Sequence, residues 1–192
     1  DITERKQAEA VRAFLAEASG GAPHEPFFPA LARFLADTLH LDYVCIDQLE
    51  GDGLTARTLA VWNDGHFEDN VAYALKDTPC GAVVGKSVCC FPSGVRELFA
   101  RDQALQDLRA ESYVGVTLWS HLHVPIGLIA CISRQPLVNS AFAESTLQLV
   151  AGRAAGELER LRAEEALRDS EEKFRGLFNN AQVGMFRTRL DG

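Results

Sequence analysis

Positive charge is scarce in this sequence. Its 192 residues carry 19 Lys and Arg against 27 Asp and Glu, a formal net charge of −8. So acidic a chain has no electrostatic footprint for a phosphate backbone or an anionic bilayer, which argues against nucleic-acid binding and against membrane contact by this segment. The glycine period of collagen and the dense, even cysteines of a small secreted scaffold are both missing. Five cysteines are present, an odd number: Cys45, Cys80, Cys89, Cys90 and Cys131, with no C-x-x-C spacing. That pattern reads as free thiols in a reducing cytoplasm. The opening run Asp1–Lys6 is charged and does not read as a signal peptide. The longest stretch without Asp, Glu, Lys or Arg runs from residue 112 to 133. Ser120, His121, His123 and Pro125 break it, and its β-branched content fits two paired strands better than a membrane span.

Catalytic signatures are equally thin. There is no G-x-S-x-G elbow, no dinucleotide G-x-G-x-x-G and no H-E-x-x-H. Cys80 to Ser87 approaches a phosphate loop, but Cys80 stands where the first glycine belongs, and the β-branched run that follows does not open a helix. His121 and His123 would share a strand face and grip one metal, yet no acidic residue lies near to complete a site, and an exposed turn is the plainer reading. Cys80 is either a buried, unreactive thiol or a nucleophile, with only Asp77 and Lys86 nearby to tune it. The expectation is no catalytic residue, no metal site and no enzymatic activity.

The order of elements is clearer. Phe28, Leu31, Phe34, Leu35 and Leu39 recur at helical spacing within residues 27–41. Residues 43–49 and 54–62 are strand-like, with Glu50-Gly51-Asp52-Gly53 as a hairpin turn between them. A looser middle follows, with helical pieces near 79–84 and 95–109 and an extended run at 87–91. Residues 113–119 and 124–132 form a second strand pair, and a long helix starts near Ala141. Strands joined this closely pair antiparallel, so the fold class is α+β: an antiparallel sheet flanked by helices.

The two ends differ from the middle. Of the 23 residues from Arg153 to Arg175, 13 are charged, with i,i+4 acid-to-base pairs such as Glu164–Arg168. Leu147, Ala154, Leu158 and Leu161 form a stripe along this helix. The stripe reads either as a solvated surface helix or as a coiled-coil seam pairing two chains in parallel, with a phase break near residue 164. The seam is the preferred reading, and these four residues are its expected dimer interface. From Leu158 onward the helix is expected to leave its own module. The first 18 residues are also helical in pattern, with Val11, Phe14, Leu15 and Ala18 as buried positions, and Gly20, Gly21 and Pro23 stop that helix.

Four stretches of the middle resemble a GAF domain, a small sensory fold of bacterial signalling proteins. They are Leu75-Lys76-Asp77-Thr78-Pro79-Cys80 leading to Val83-Val84; Val88 to Pro92 with Val95, Leu98, Phe99 and Asp102; Glu111 to Val116 with Leu118; and Pro125 to Ala130 with Ser133. The ends resemble fragments of PAS domains: Asp1-Ile2-Thr3-Glu4-Arg5-Lys6 a closing run, and Ser170 to Phe178 with Gly184 an opening one. The resemblance implies a GAF module within a PAS–GAF–PAS array of a sensor histidine kinase or diguanylate cyclase. Its expected parts are a linker helix at 1–20, a GAF domain at 24–152, a coiled-coil linker at 153–178 and the start of a PAS domain at 179–192. The cyclic-nucleotide subgroup's signature is absent, and no cysteine is followed by histidine as in bilin-binding relatives.

The resemblance further implies a cytoplasmic sensory module that binds a small molecule or a partner and relays its state through the flanking helices to adjacent PAS and output domains. A ligand-free dimerisation spacer and a cysteine-dependent reductase remain as alternatives. Trp62, Phe67, Cys80, Phe91, Tyr113 and Thr117 are the expected ligand-pocket lining, between the sheet and residues 63–110, with plain core packing open for each. No cofactor or ligand can be named from the sequence.

Overall fold

The computed structural model describes residues 2–17, 25–51 and 53–180. Helices α1 (Ile2–Glu17) and α2 (Phe27–Leu39) precede a hairpin of β1 (Tyr43–Leu49) and β2 (Thr55–Asn63). The looser middle resolves into two three-residue strands, β3 (His66–Glu68) and β4 (Ala72–Ala74), then α3 (Pro79–Val83), β5 (Val88–Phe91), α4 (Val95–Leu98) and α5 (Gln103–Asp107). A second hairpin, β6 (Ser112–Trp119) and β7 (Pro125–Ser133), leads into the 41-residue helix α6 (Ser140–Asn180). The strands described here form one seven-stranded sheet in the order β3-β2-β1-β7-β6-β5, with β4 also on β2, and every pair is antiparallel. The α+β expectation holds.

Period-2 alternation divides the sheet into two faces. On one lie Val44 and Ile46 of β1, Val114, Val116 and Leu118 of β6, and Ile129 and Cys131 of β7, all buried. Helix α2 packs on this side, because its buried residues Phe28, Leu31, Ala32 and Leu35 recur at i, i+3, i+4 and i+7 spacing. Phe14 of α1 stacks on Phe34 with ring centroids 4.4 Å apart, and Val11 is buried, so α1 rests on α2. Gly127 sets how closely α6 approaches: a side chain there would meet the Asp47 carbonyl oxygen and stand 2.8 Å from a Leu158 methyl.

The chain divides into a unit ending at Leu158 and a second from Glu159. Leu147, Ala154 and Leu158 are each fully buried within the first. This corrects the expectation that the helix leaves its module at Leu158 with apolar side chains in water. Three of the four proposed interface residues instead serve the chain's own core. In the second unit, Leu161 is half-buried, residues 163–175 are exposed, and Arg160 pairs with Glu164 one turn on. The run Ser170–Phe178 continues α6, whereas the expected PAS start at 179–192 falls mostly outside the described residues, as does Ala18. No described helix is long and apolar enough to cross a membrane. His121 and His123 lie in the exposed β6–β7 turn, where His123 N–H donates to the Ser120 carbonyl.

Candidate functional site

The opposite face of the sheet carries an acid where an apolar side chain belongs. Tyr43, Cys45, Asp47 and Leu49 alternate inward along β1, and Asp47 lines up across the sheet with Thr58, Leu128 and Thr117. Over this face fold α3, α4, α5 and β4, closing a core of Cys45, Val61, Leu75, Cys80, Val83, Val95, Leu105, Tyr113 and Leu128. Asp47 is 0% exposed within it.

A buried carboxylate is costly unless its oxygens are satisfied. Here one of them is. Oδ2 accepts from the Tyr73 hydroxyl at 2.9 Å and from the Cys45 thiol at 3.4 Å, whereas Oδ1 is buried with no hydrogen-bond partner among the described residues. Burial pushes the Asp47 carboxyl up to about 7, against the pull of the two donors. Tyr73 also meets the Cys80 thiol. Its single hydroxyl proton goes to the carboxylate, the stronger acceptor. The Tyr113 hydroxyl in turn donates to Cys80 Sγ at 3.4 Å. Tyr113, Cys80, Tyr73 and Asp47 thus form a continuous polar chain through an apolar interior.

Local sequence holds each member in place. Thr78 caps α3 by accepting from the Gly81 N–H at 3.0 Å, and Pro79 fills the first helical position, where no N–H is needed. A side chain at Gly81 would collide with the Leu75 carbonyl oxygen, so the turn delivering Cys80 requires glycine. At Gly115 any Cβ would stand 2.5 Å from the Tyr113 hydroxyl, so this glycine lets the Tyr113 ring lie along β6. Thr117 Oγ1 donates to the Val83 carbonyl at 2.9 Å, tying α3 to the sheet.

The structure brings together four of the six expected lining residues. Cys80, Tyr113 and Thr117 are buried on this face; Phe91 is half-buried, opposite Tyr113 in register, with ring centroids 6.1 Å apart. Trp62 and Phe67 are elsewhere. Trp62 pairs with Val44 and so lies on the α2 side, in a T-shaped contact with Phe67, itself 40% exposed on the edge strand β3. A bulge in the β1–β2 ladder at Ile46/Asp47 causes this, since it shifts β2 by one residue and turns Val61 inward in place of Trp62. Sequence reasoning missed Asp47, Cys45 and Tyr73. The first had a signal, a charge at an inward position of an otherwise apolar alternation.

Burial pushes the Cys80 thiol up to about 12, with the field of Asp47 adding to it, and raises Cys45 well above the usual thiol range. Both are protonated at neutral pH and are poor nucleophiles. No group of three metal-ligating side chains occurs among the described residues. Two cavities, of about 460 and 360 Å³, flank the start of α6 and share Asn139 and Phe142, away from the Asp47 face.

No family model matches the sequence, and no curated protein matches it. Solved structures do match. The GAF domain of an Acinetobacter phosphoenolpyruvate-protein phosphotransferase aligns at TM-score 0.65 with 17% identity, over 84% of this chain and 98% of that one. The GAF domain of A. aeolicus nlh2, in an inactive state, aligns at 0.63 with 16% identity, over 83% and 99%. The chromophore-binding domain of a bacteriophytochrome from R. palustris aligns at 0.65 with 12% identity, over 84% of this chain and 62% of that domain. The described chain has the fold of a GAF domain.

Proposed function

We propose that this chain is a sensory and regulatory module that holds a small molecule on the Asp47 face of its sheet. The observation that carries the reading is the buried, unpartnered Oδ1 of Asp47. A purely structural core gains nothing from an acid at this position, because a leucine or valine would fill it without the desolvation cost. A binding core does gain, since a ligand that supplies the missing partner binds one state of the site better than the other and shifts their balance. Helices α1 and α6, which flank the sheet in sequence, are the candidate carriers of that shift to neighbouring PAS and output domains of a longer, homodimeric, cytoplasmic protein.

A ligand-free spacer is the second reading. The observation favouring it is that the inner face is well filled, with Cys80, Tyr113 and Thr117 each under a tenth exposed. A cysteine-dependent reductase draws no support from thiols held protonated by burial. Native mass spectrometry of the chain purified from its own host separates the first two. A stoichiometric small-molecule adduct supports the sensor. A bare mass, with no compound from the host extract raising the melting temperature, supports the spacer.

A further inference from the structure

Resting on the sensory reading, we propose that the molecule held at this face is an organic cation, a protonated amine or quaternary ammonium whose charge is set against Oδ1 of Asp47. Three features of the cluster argue against an anion, a metal ion and a neutral molecule without a donor. An anion would be brought beside a carboxylate, and no Lys, Arg or His is among the buried residues described. A metal ion would need ligands that the described residues do not group together. A neutral molecule without a donor would leave both the charge and the orphaned oxygen as they are. An ammonium group answers both at once, by charge and by hydrogen bonding.

The surroundings suit such a guest. Tyr43, Tyr73, Phe91 and Phe99 pack against the cluster and Tyr113 is part of it. The faces of aromatic rings attract cations, most strongly where water is excluded. Entry lies across the edge of the sheet. Tyr73 belongs to β4, which among the described strands pairs only with β2, and residues 64–72, which precede it, are exposed throughout. Lifting β4 would withdraw the Tyr73 hydroxyl and open the carboxyl from that side. The approach carries Glu68, which accepts from the Asn63 amide, and Asp69, while Asp64 is paired with Arg134; the two carboxylates not paired with an arginine favour a cation at the opening.

The titratable groups around Asp47 are Tyr43 and Cys45 on its own strand, Tyr73 on β4, Cys80 on α3 and Tyr113 on β6, and burial holds each of them neutral at physiological pH. Asp47 is therefore the group whose ionisation a cation would drive. Binding to it releases a proton below pH 7, so affinity falls with decreasing pH by close to tenfold per unit there.

The test titrates the full chain by calorimetry and thermal melting with n-butylamine, tetramethylammonium, n-butanol and sodium butyrate. Both ammonium probes are expected to bind saturably, at least tenfold more tightly than butanol or butyrate, and more weakly at pH 6 than at pH 8. Asp47→Asn, whose folding is checked by its own melt, is expected to lose at least tenfold in ammonium affinity and to lose its pH dependence. Butanol or butyrate binding as well as the amines, or ammonium binding indifferent to pH and to Asp47→Asn, overturns the cation and leaves the sensory reading standing. Failure of both ammonium probes also overturns it; if the chain also carries no molecule from its host, the sensory reading fails as well.

Discussion

The Tyr73 hydroxyl donates to Asp47 Oδ2 across 2.9 Å, joining a three-residue edge strand to a central strand 26 positions earlier in the chain. This is the polar bond that holds β4 over the inner face, and it is made to a carboxyl whose other oxygen is unpartnered.

Stability should fall as the Asp47 carboxyl ionises. Its unfolded value is 3.8 and burial raises the folded value to about 7, so between these the folded chain keeps a proton that the unfolded chain has lost. Stability from this group is greatest below the unfolded value and is lost as pH rises through the folded one, a change of about 4 kcal/mol. Asp47→Asn removes the dependence. Urea melts of both proteins from pH 4 to 8 should show the variant gaining on the native chain as pH rises; a constant difference would contradict the burial of the ionised form.

Leu158 should matter to folding. It is fully buried and reaches the position a Gly127 side chain would occupy. Leu158→Ala is expected to cost about 2–5 kcal/mol in denaturant melts. Sedimentation velocity of any dimer should show its affinity unaltered at concentrations where the variant is folded. A stable monomer with undiminished melting would restore the helix-pairing role.

Gly127→Ala should be destabilising by about 1–3 kcal/mol, because the added methyl meets the β1 backbone and Leu158 and neither can retreat without opening the sheet or lifting α6. Gly156→Ala meets nothing within 4 Å and is the matched control. Equal melting temperatures would deny the close approach at β7.

Alkylation under native conditions should spare Cys45, Cys80 and Cys131, which are buried and pushed to high values, and reach Cys89, which is half-buried, ahead of Cys90, half-buried too but pushed up to about 11 by burial and by Glu144. Mass mapping after brief iodoacetamide treatment checks this. Fast modification of Cys80 would revive the nucleophile that the sequence left open.

The hairpins, the Thr78-Pro79-Cys80 turn and the start of the last helix were legible because each is encoded locally, by alternation, capping or helical period. The faces of β2 were not. Strict alternation from Ala56 groups Trp62 with Thr58, and only the bulge opposite Ile46/Asp47, a property of the strand pair, turns Val61 inward. Tyr73 was hidden for a related reason, since a three-residue strand has too few positions to show a period. The stripe at Leu147, Ala154 and Leu158 was legible as a stripe, but a helix period does not say whether a sheet or a second helix covers it. Asp47 was visible as an acid in an inward register, and its consequence depended on Tyr73 and Cys45 meeting the same oxygen.

The measurement closest to the centre of this account is the titration of the Asp47 carboxyl itself, followed by its side-chain carbon-13 resonance in the native chain from pH 4 to 9. A dry carboxyl with one oxygen unpartnered is expected to titrate near 7 and to move lower when n-butylamine is added. A midpoint near the ordinary 3.8, unmoved by the amine, would mean that water already satisfies Oδ1, and the binding face described here would not exist.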